Sequence, residues 1–236
     1  MADLKRKRAE LTDLRDEADR LEARIEKKPK GKRKRLHDRL EQVRRRIDRI
    51  KVWIRKVRHE KRDRKPSVVL TRISPNRSAR TTGPIRLIVL HSTESDNIEA
   101  SEADLAGVAG WFANPASQVS SHVITDADGH SARCVPDEDK AWHSAAYNSA
   151  SLGIEQIGRA SQAVWGTSEL QETARWIAKW SREHGIPIQH GAVSGGLVTR
   201  PGVVTHADLG YAGGGHTDPG SGYPLGAVIE QAKRLK

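Results

Sequence analysis

The segment LIVLHST, residues 87–93, places four apolar residues directly before a histidine. A short continuous apolar run bounded by polar residues is typical of a strand buried inside a sheet. The end of such a strand is held rigidly, as a preorganised site requires. The segment therefore predicts a buried strand in the core and identifies His91, at its end, as a candidate functional residue.

Strand and helix patterns alternate on both sides of this segment. The sequence predicts a loop over 74–84, a turn at DADG (126–129), a helix cap at Ser101, another at Thr167 or Ser168, and a helix stop at Gly185. Further strands are predicted over 67–73, 120–125, 130–135, 151–158 and 202–206, and helices over 101–113, 167–185 and 223–235. This alternation predicts one α/β domain over residues 65–236.

The excess positive charge of the chain is confined to its first quarter. Residues 1–65 contain 27 of the 41 Lys and Arg residues and 13 of the 30 Asp and Glu residues. The remainder is therefore close to neutral, and the basic character belongs to a separate segment. Cys134 is the only cysteine, which excludes an internal disulfide bond.

The basic segment has apolar residues at alternating steps of three and four, the spacing of a heptad seam. Pro29 and Gly31 interrupt the pattern within KKPKGKRK, residues 27–34. The seam consists of Leu4, Leu11, Leu14, Ala18, Leu21 and Ile25, then Leu36, Leu40, Val43, Ile47, Ile50, Ile54 and Val57. We expect an antiparallel helical hairpin over residues 1–64, with a two-chain coiled coil, and hence an oligomer, as the alternative.

The segment THADLGYAGGGHTDPG, residues 205–220, is rich in glycine but lacks the Gly-Lys-Ser/Thr ending of a phosphate-binding loop. It offers His206 at a strand end and Asp218 after a glycine-rich loop. Together with His91 they supply two imidazoles and a carboxylate, which suit a catalytic zinc site with three N or O ligands and an open position. These three residues are therefore a candidate Zn²⁺ site. A turn role for Asp218 and structural roles for the histidines remain alternatives.

Four segments carry a resemblance to a known family: LIVLHST, SSHVIT with DADG, AWHSAAYNSASLGIEQIG and THADLGYAGGGHTDPG. In order and spacing they resemble the zinc-dependent N-acetylmuramoyl-L-alanine amidases of phage endolysins, autolysins and peptidoglycan-recognition proteins, over about residues 66–236. The resemblance implies a mixed central β-sheet flanked by helices, with zinc on His91, His206 and Asp218. It implies peptidoglycan as substrate, cut between N-acetylmuramic acid and L-alanine.

The resemblance also implies roles for two further residues. Glu155 matches a glutamate that assists catalysis, and burial on its strand would raise its pKa and suit it to accept a proton from water. His216 matches a position that is cationic or a hydrogen-bond donor, which would stabilise an oxyanion.

Three residues are candidate substrate contacts. The chain has Ser121 where many family members have tyrosine, which leaves His122, His143 and Trp142 as candidates. A structural role is the alternative for each of them. Trp176 and Trp180 lie one turn apart on a predicted helix, which favours packing in the core.

The basic hairpin admits three roles: a solvated spacer, attachment to anionic envelope polymers or a membrane surface, and nucleic-acid binding. It contains Trp53 but no Tyr or Phe, which disfavours base stacking. No apolar run marks a signal peptide, so we expect a phage-type endolysin made in the host cytoplasm that reaches the cell wall after release. A non-catalytic peptidoglycan-binding module and a cytoplasmic muropeptide-recycling amidase are the alternatives.

Overall fold

The structure is a computed structural model, and it describes residues 2–63, 65–81, 83–95 and 102–236. The chain separates into two compact units, Met1–Asp63 and Arg64–Lys236. The predicted Ser101 cap lies outside the described residues, as do the side chains of Leu4 and Val57.

The first unit consists of two long helices, α1 (Ala2–Glu26) and α2 (Lys34–Asp63), joined through a single 3₁₀ turn at Lys30–Lys32. They run antiparallel, because Arg39 pairs with Glu17 and Arg46, further along α2, pairs with Glu10, further back on α1. Their shared core is the predicted seam: Leu14, Ala18, Leu21 and Ile25 pack against Leu40, Val43, Ile47, Ile50 and Ile54. The predicted helical hairpin is thus confirmed within one chain.

The second unit is built on a six-stranded mixed sheet. Its strands are β1 (Val68–Thr71), β3 (Leu87–Ser92), β4 (Val123–Thr125), β5 (Ser131–Arg133), β7 (Ser151–Gln156) and β10 (Gly202–Thr205). They lie in the order β1-β5-β4-β7-β3-β10. Strands β4 and β5 pair antiparallel, and the other neighbouring pairs of this sheet are parallel. Strand β3, predicted from LIVLHST, is buried along its whole length.

Helices cover both faces of this sheet. On one face α4 (Thr167–His184) and α5 (Leu225–Leu235) pack on Ile88, Leu90 and other residues of the central strands. Trp176 and Trp180 are buried in this layer, as predicted. On the other face α3 (Glu102–Ala113) packs against Ile124 and Ala132. Within the described ranges, we find no helix that combines the length and apolar character needed to cross a membrane.

Several element boundaries differ from those predicted. Helix α4 is capped by the backbone of Gly166 in an extended conformation, and neither Thr167 nor Ser168 is the cap. Its predicted stop is correct, because Gly185 adopts a left-handed conformation (φ 71°).

Four short strands were missed: β2 (Arg77–Ala79) pairs with β6 (Asp139–Ala141), and β8 (Ala192–Ser194) pairs with β9 (Leu197–Arg200). They are short and mostly polar or exposed, so they lack the apolar pattern that identifies a strand.

Glu169 in the first turn of α4 is a buried carboxylate, and its Oε1 has no hydrogen-bond partner among the described residues. Burial, followed by the charge of Asp126, raises its pKa from 4.5 to about 8. Between these values the folded chain keeps a proton that the unfolded chain releases, so stability falls as pH rises through this window.

We therefore expect Glu169→Gln to raise the melting temperature at pH 8 and to leave it unchanged at pH 4, where both states of the wild type are protonated. Thermal unfolding of both proteins across this range measures the effect. Glu183→Gln, which removes an exposed carboxylate of the same helix, is the control. A gain from Glu169→Gln that is equal at both pH values would contradict the assignment.

Candidate metal centre and active-site cleft

Two histidines meet at the carboxyl end of the parallel strands. His91 lies in β3, and His206 directly follows β10, the neighbour of β3. The His206 N–H donates to the Leu90 carbonyl at 3.0 Å, which continues the strand pairing up to the site. Asp218 arrives from the glycine-rich loop, where its Oδ2 accepts the Ser92 N–H at 3.2 Å.

The three side chains bring one ligand atom each to a common point. The distances are 3.0 Å between the Nδ1 atoms of His91 and His206, 3.0 Å from His206 Nδ1 to Asp218 Oδ1, and 3.4 Å from His91 Nδ1 to Asp218 Oδ2. Ligand atoms about 2.0–2.2 Å from a tetrahedral zinc ion lie about 3.3–3.6 Å apart. The donor atoms are thus spaced closely enough to share one ion.

Hydrogen bonds at the far side of each ring fix which nitrogen faces the site. His206 Nε2 lies 3.0 Å from the Gly213 carbonyl, which can only accept, so Nε2 carries the proton and Nδ1 presents a lone pair. Burial lowers the pKa of His91 to about 4, which keeps its ring neutral. Although burial opposes it, Asp218 raises the pKa of His206. This carboxylate therefore attracts positive charge to the site, and a divalent cation that prefers N and O ligands fits the donor set.

The orientation of His91 depends on a chain of three hydrogen bonds, here called the His143 relay (His91, His143, Ser151 and Tyr147). Ser151 Oγ donates to the Tyr147 carbonyl at 2.8 Å, so it accepts from His143 Nε2 at 3.2 Å. His143 Nδ1 is then an acceptor and receives the His91 Nε2–H at 2.9 Å. The Tyr147 carbonyl is the final acceptor of the relay, so each N–H or O–H group in the relay points away from the metal site. His91 Nδ1 therefore carries no proton and is available as a ligand.

Glu155 lies beside the metal site on the adjacent strand. Strand β7 pairs with β3 so that Glu155 is directly opposite His91, and in a parallel pair opposite residues share a face. Its Oε2 is buried and has no hydrogen-bond partner among the described residues. Burial, then the charges of Asp218 and Glu94, raises the pKa of Glu155 to about 8. The carboxylate is therefore a stronger base than an ordinary glutamate.

The metal site opens into a cleft of about 670 Å³, which gives an extended ligand room beside the three donors. His216 lies at its edge, exposed, with its ring stacked on His206 at 4.6 Å between centroids. Trp142 lines the cleft and is fixed by an Nε1–H bond to Ser78 Oγ at 3.1 Å. The lining also includes Glu155, His143, Asn148 and, from α3, Trp111, whose side chain is exposed.

The structure places His122, a predicted substrate contact, in the core and not in the lining of the cleft. Its side chain is fully buried. His122 Nδ1 accepts the Gly153 N–H at 3.0 Å, while Nε2 contacts Arg80 and the Asp139 carbonyl. The ring therefore joins neighbouring segments of the core. His143, in contrast, lines the cleft and also takes part in the relay.

Sequence reasoning missed several residues that shape the site. Glu94 lines the cleft, accepts from Ser92 Oγ at 2.6 Å and has a left-handed backbone (φ 55°). Asn148 holds the backbone N–H groups of His143 and Ser144. At Gly153 a Cβ would lie 2.7 Å from His143 Nδ1, so the glycine makes room for the relay. Only one feature of the sequence points to Glu94 as a residue of the site: it follows His91 by three residues.

Comparisons with known proteins give a family match. The family described as N-acetylmuramoyl-L-alanine amidase matches residues 81–221, more than half of the chain. N-acetylmuramoyl-L-alanine amidase A of Achromobacter lyticus is 36% identical over 87 residues, which cover 36% of this chain and 49% of that protein. The match to this relative thus spans about half its length.

Two solved structures confirm the predicted fold class. A selenomethionine derivative of AmpD is 18% identical with a TM-score of 0.52, and the match covers 72% of this chain and 94% of AmpD. Staphylococcus aureus hydrolase AmiA in complex with its ligand is 16% identical with a TM-score of 0.51, and the match covers 71% and 83% of the two chains.

Proposed function

The chain belongs to the N-acetylmuramoyl-L-alanine amidase family, and on that premise we propose that it hydrolyses peptidoglycan at the amide bond between N-acetylmuramic acid and L-alanine. We propose His91, His206 and Asp218 as the ligands of a zinc ion. Bound there, zinc would polarise the scissile carbonyl and acidify the attacking water. The convergence of three buried donor atoms at the mouth of the cleft is the observation that carries this proposal.

Glu155 is the proposed proton carrier. Its raised pKa and its unpartnered Oε2 suit it to take a proton from water as the water attacks the amide carbon. The same carboxyl group then delivers the proton to the departing amine of L-alanine. Its position opposite His91 keeps the carboxylate on the side of the sheet where the metal ligands lie.

His216 is the proposed stabiliser of the oxyanion that forms on the attacked carbonyl. Its ring is held over His206 by stacking, and its exposed edge reaches the cleft, so an N–H can point toward a bound substrate. A Cβ at Gly214 would lie 3.0 Å from the His216 ring, and Gly214 also has φ 112°, so glycine there permits this approach. Trp142 and His143, which also line the cleft, are the proposed substrate contacts.

The test is hydrolysis of purified peptidoglycan by metal-stripped protein, before and after zinc is restored, with products identified by mass spectrometry. We expect new L-alanine amino ends only in the presence of zinc. Retention on peptidoglycan without any cleavage would instead make the chain a binding module. Products with other new ends would overturn the assigned bond.

We further propose that the natural substrate is the intact cell wall, as for a phage endolysin. The support is the hairpin, which carries 27 basic against 13 acidic residues up to residue 65 and would attract an anionic envelope. The alternative, recycling of soluble muropeptides, gives such a segment no function. Rates on intact walls and on soluble fragments, compared at low and high salt, distinguish the two substrates.

A further inference from the structure

The turn of the hairpin carries the densest charge of the chain. Residues 27–35, KKPKGKRKR, contain seven Lys or Arg and no acidic residue. They adjoin a groove of about 600 Å³ between the ends of the two helices. We call this the tip groove, and its lining is Arg20, Arg24, Lys28, Lys32, Arg35 and Arg39, with Glu17, Leu21 and Leu36.

Most of the cations in the tip groove are uncompensated. Glu17 is the one carboxylate of the lining, and it already forms an ion pair with Arg39. Within the part of the chain that the structure describes, no carboxylate lies within 4.0 Å of the other five cations. The opposite end of the hairpin differs, because Glu10 there pairs with both Lys7 and Arg46. The positive field is therefore concentrated at the tip.

The backbone that holds these cations is braced. The Arg33 guanidinium does not face the groove but donates to the carbonyls of Lys28, at 2.6 Å, and Glu26, at 3.3 Å. These bonds occupy carbonyls at the carboxyl end of α1 and connect them to the start of α2. The five free cations are thus presented together by a closed turn.

The surroundings of the groove identify the class of ligand. Membrane insertion needs exposed apolar side chains, but Leu21 is buried and Leu36 is largely covered by the hairpin core. Base stacking needs an aromatic ring, but no Trp, Tyr, Phe or His is in the lining of the groove, and Trp53, the only Trp of the hairpin, lies at the Glu10 end. Several cations without either feature fit repeated phosphate groups on a flexible chain.

We propose that the tip groove is a binding site for a phosphodiester polymer of the cell envelope. This inference rests on the proposed function, because it assigns the site that holds the enzyme at its substrate. The polymer would run through the groove with successive phosphates against Arg20, Arg24 and Lys28 on one side and Lys32 and Arg35 on the other.

The experiment measures binding of the full chain to purified cell walls, before and after acid removal of their phosphodiester polymers. The triple variant Lys28→Gln/Lys32→Gln/Arg35→Gln removes three tip cations. The matched control, Arg8→Gln/Arg15→Gln/Arg49→Gln, removes three exposed cations elsewhere on the hairpin that have no carboxylate within 4.0 Å among the described residues. We expect the tip variant to bind untreated walls at least tenfold more weakly, and the control to bind within about twofold of wild type.

Several outcomes would overturn the site. Equal losses in the two variants would mean that net charge alone acts, and unchanged binding after polymer removal would exclude the phosphodiester ligand. Tip-dependent binding that is stronger to phosphatidylglycerol vesicles or to single-stranded DNA than to walls would assign another partner. Hydrolysis of a soluble muropeptide, measured in parallel, reports on the amidase site alone, so failure of one proposal is distinguishable from failure of the other.

Discussion

Replacing Glu155 with glutamine is expected to lower the turnover of peptidoglycan by about 10²–10⁴-fold, the usual contribution of a positioned acid or base. Glutamine has nearly the same shape but cannot take a proton from water or return one to the leaving amine. Because Glu155 lies opposite His91 but is not among the three donors, zinc affinity is expected to remain within a few-fold of wild type. Steady-state rates with zinc in excess, and zinc titration of the same sample, separate the two effects.

Glu94→Gln is the matched control, because it also removes a carboxylate of the cleft. Glu94 is exposed, and one of its oxygens, Oε1, accepts hydrogen bonds from both the Ser92 hydroxyl and the Ala160 N–H. We expect its turnover to fall much less than that of the Glu155 variant. A Glu155→Gln enzyme that keeps more than a tenth of wild-type turnover, with zinc bound, would rule out Glu155 as the proton carrier.

Regular structure accounts for the part of the proposed site that the sequence predicts. His91 and His206 were predicted because each follows an apolar strand, and parallel strands bring their carboxyl ends to one edge. The register of β7 against β3, which puts Glu155 opposite His91, is a property of the sheet and is not written in either strand alone.

Residues whose roles depend on long-range contacts could not be predicted in this way. His122 lies on a predicted strand and His143 in a predicted loop, which favours His143 as a substrate contact, but this pattern alone does not show which of them faces the cleft. The fold does, because His122 is enclosed between Gly153 and Arg80, whereas His143 faces the cleft. The short strands β2, β6, β8 and β9 were missed for a related reason, since their pairing depends on distant partners.

Replacing His143 with alanine is expected to weaken zinc binding by about 10–100-fold, the usual effect of removing the partner of a metal-bound histidine. The substitution removes the acceptor of the His91 Nε2–H. The His91 ring is then free to rotate or to change tautomer, and its Nδ1 is no longer held as a ligand. Competition with a chromophoric zinc chelator measures the affinity independently of catalysis.

Two further variants separate a positioning role of His143 from substrate contact. Ser151→Ala removes the acceptor at the far end of the relay and lies outside the cleft lining, so a positioning role predicts a smaller loss of zinc affinity in the same direction. Trp142→Phe changes the neighbouring cleft wall and is expected to raise the KM while leaving zinc affinity unchanged. If His143→Ala bound zinc as tightly as wild type and only its KM rose, His143 would be a substrate contact.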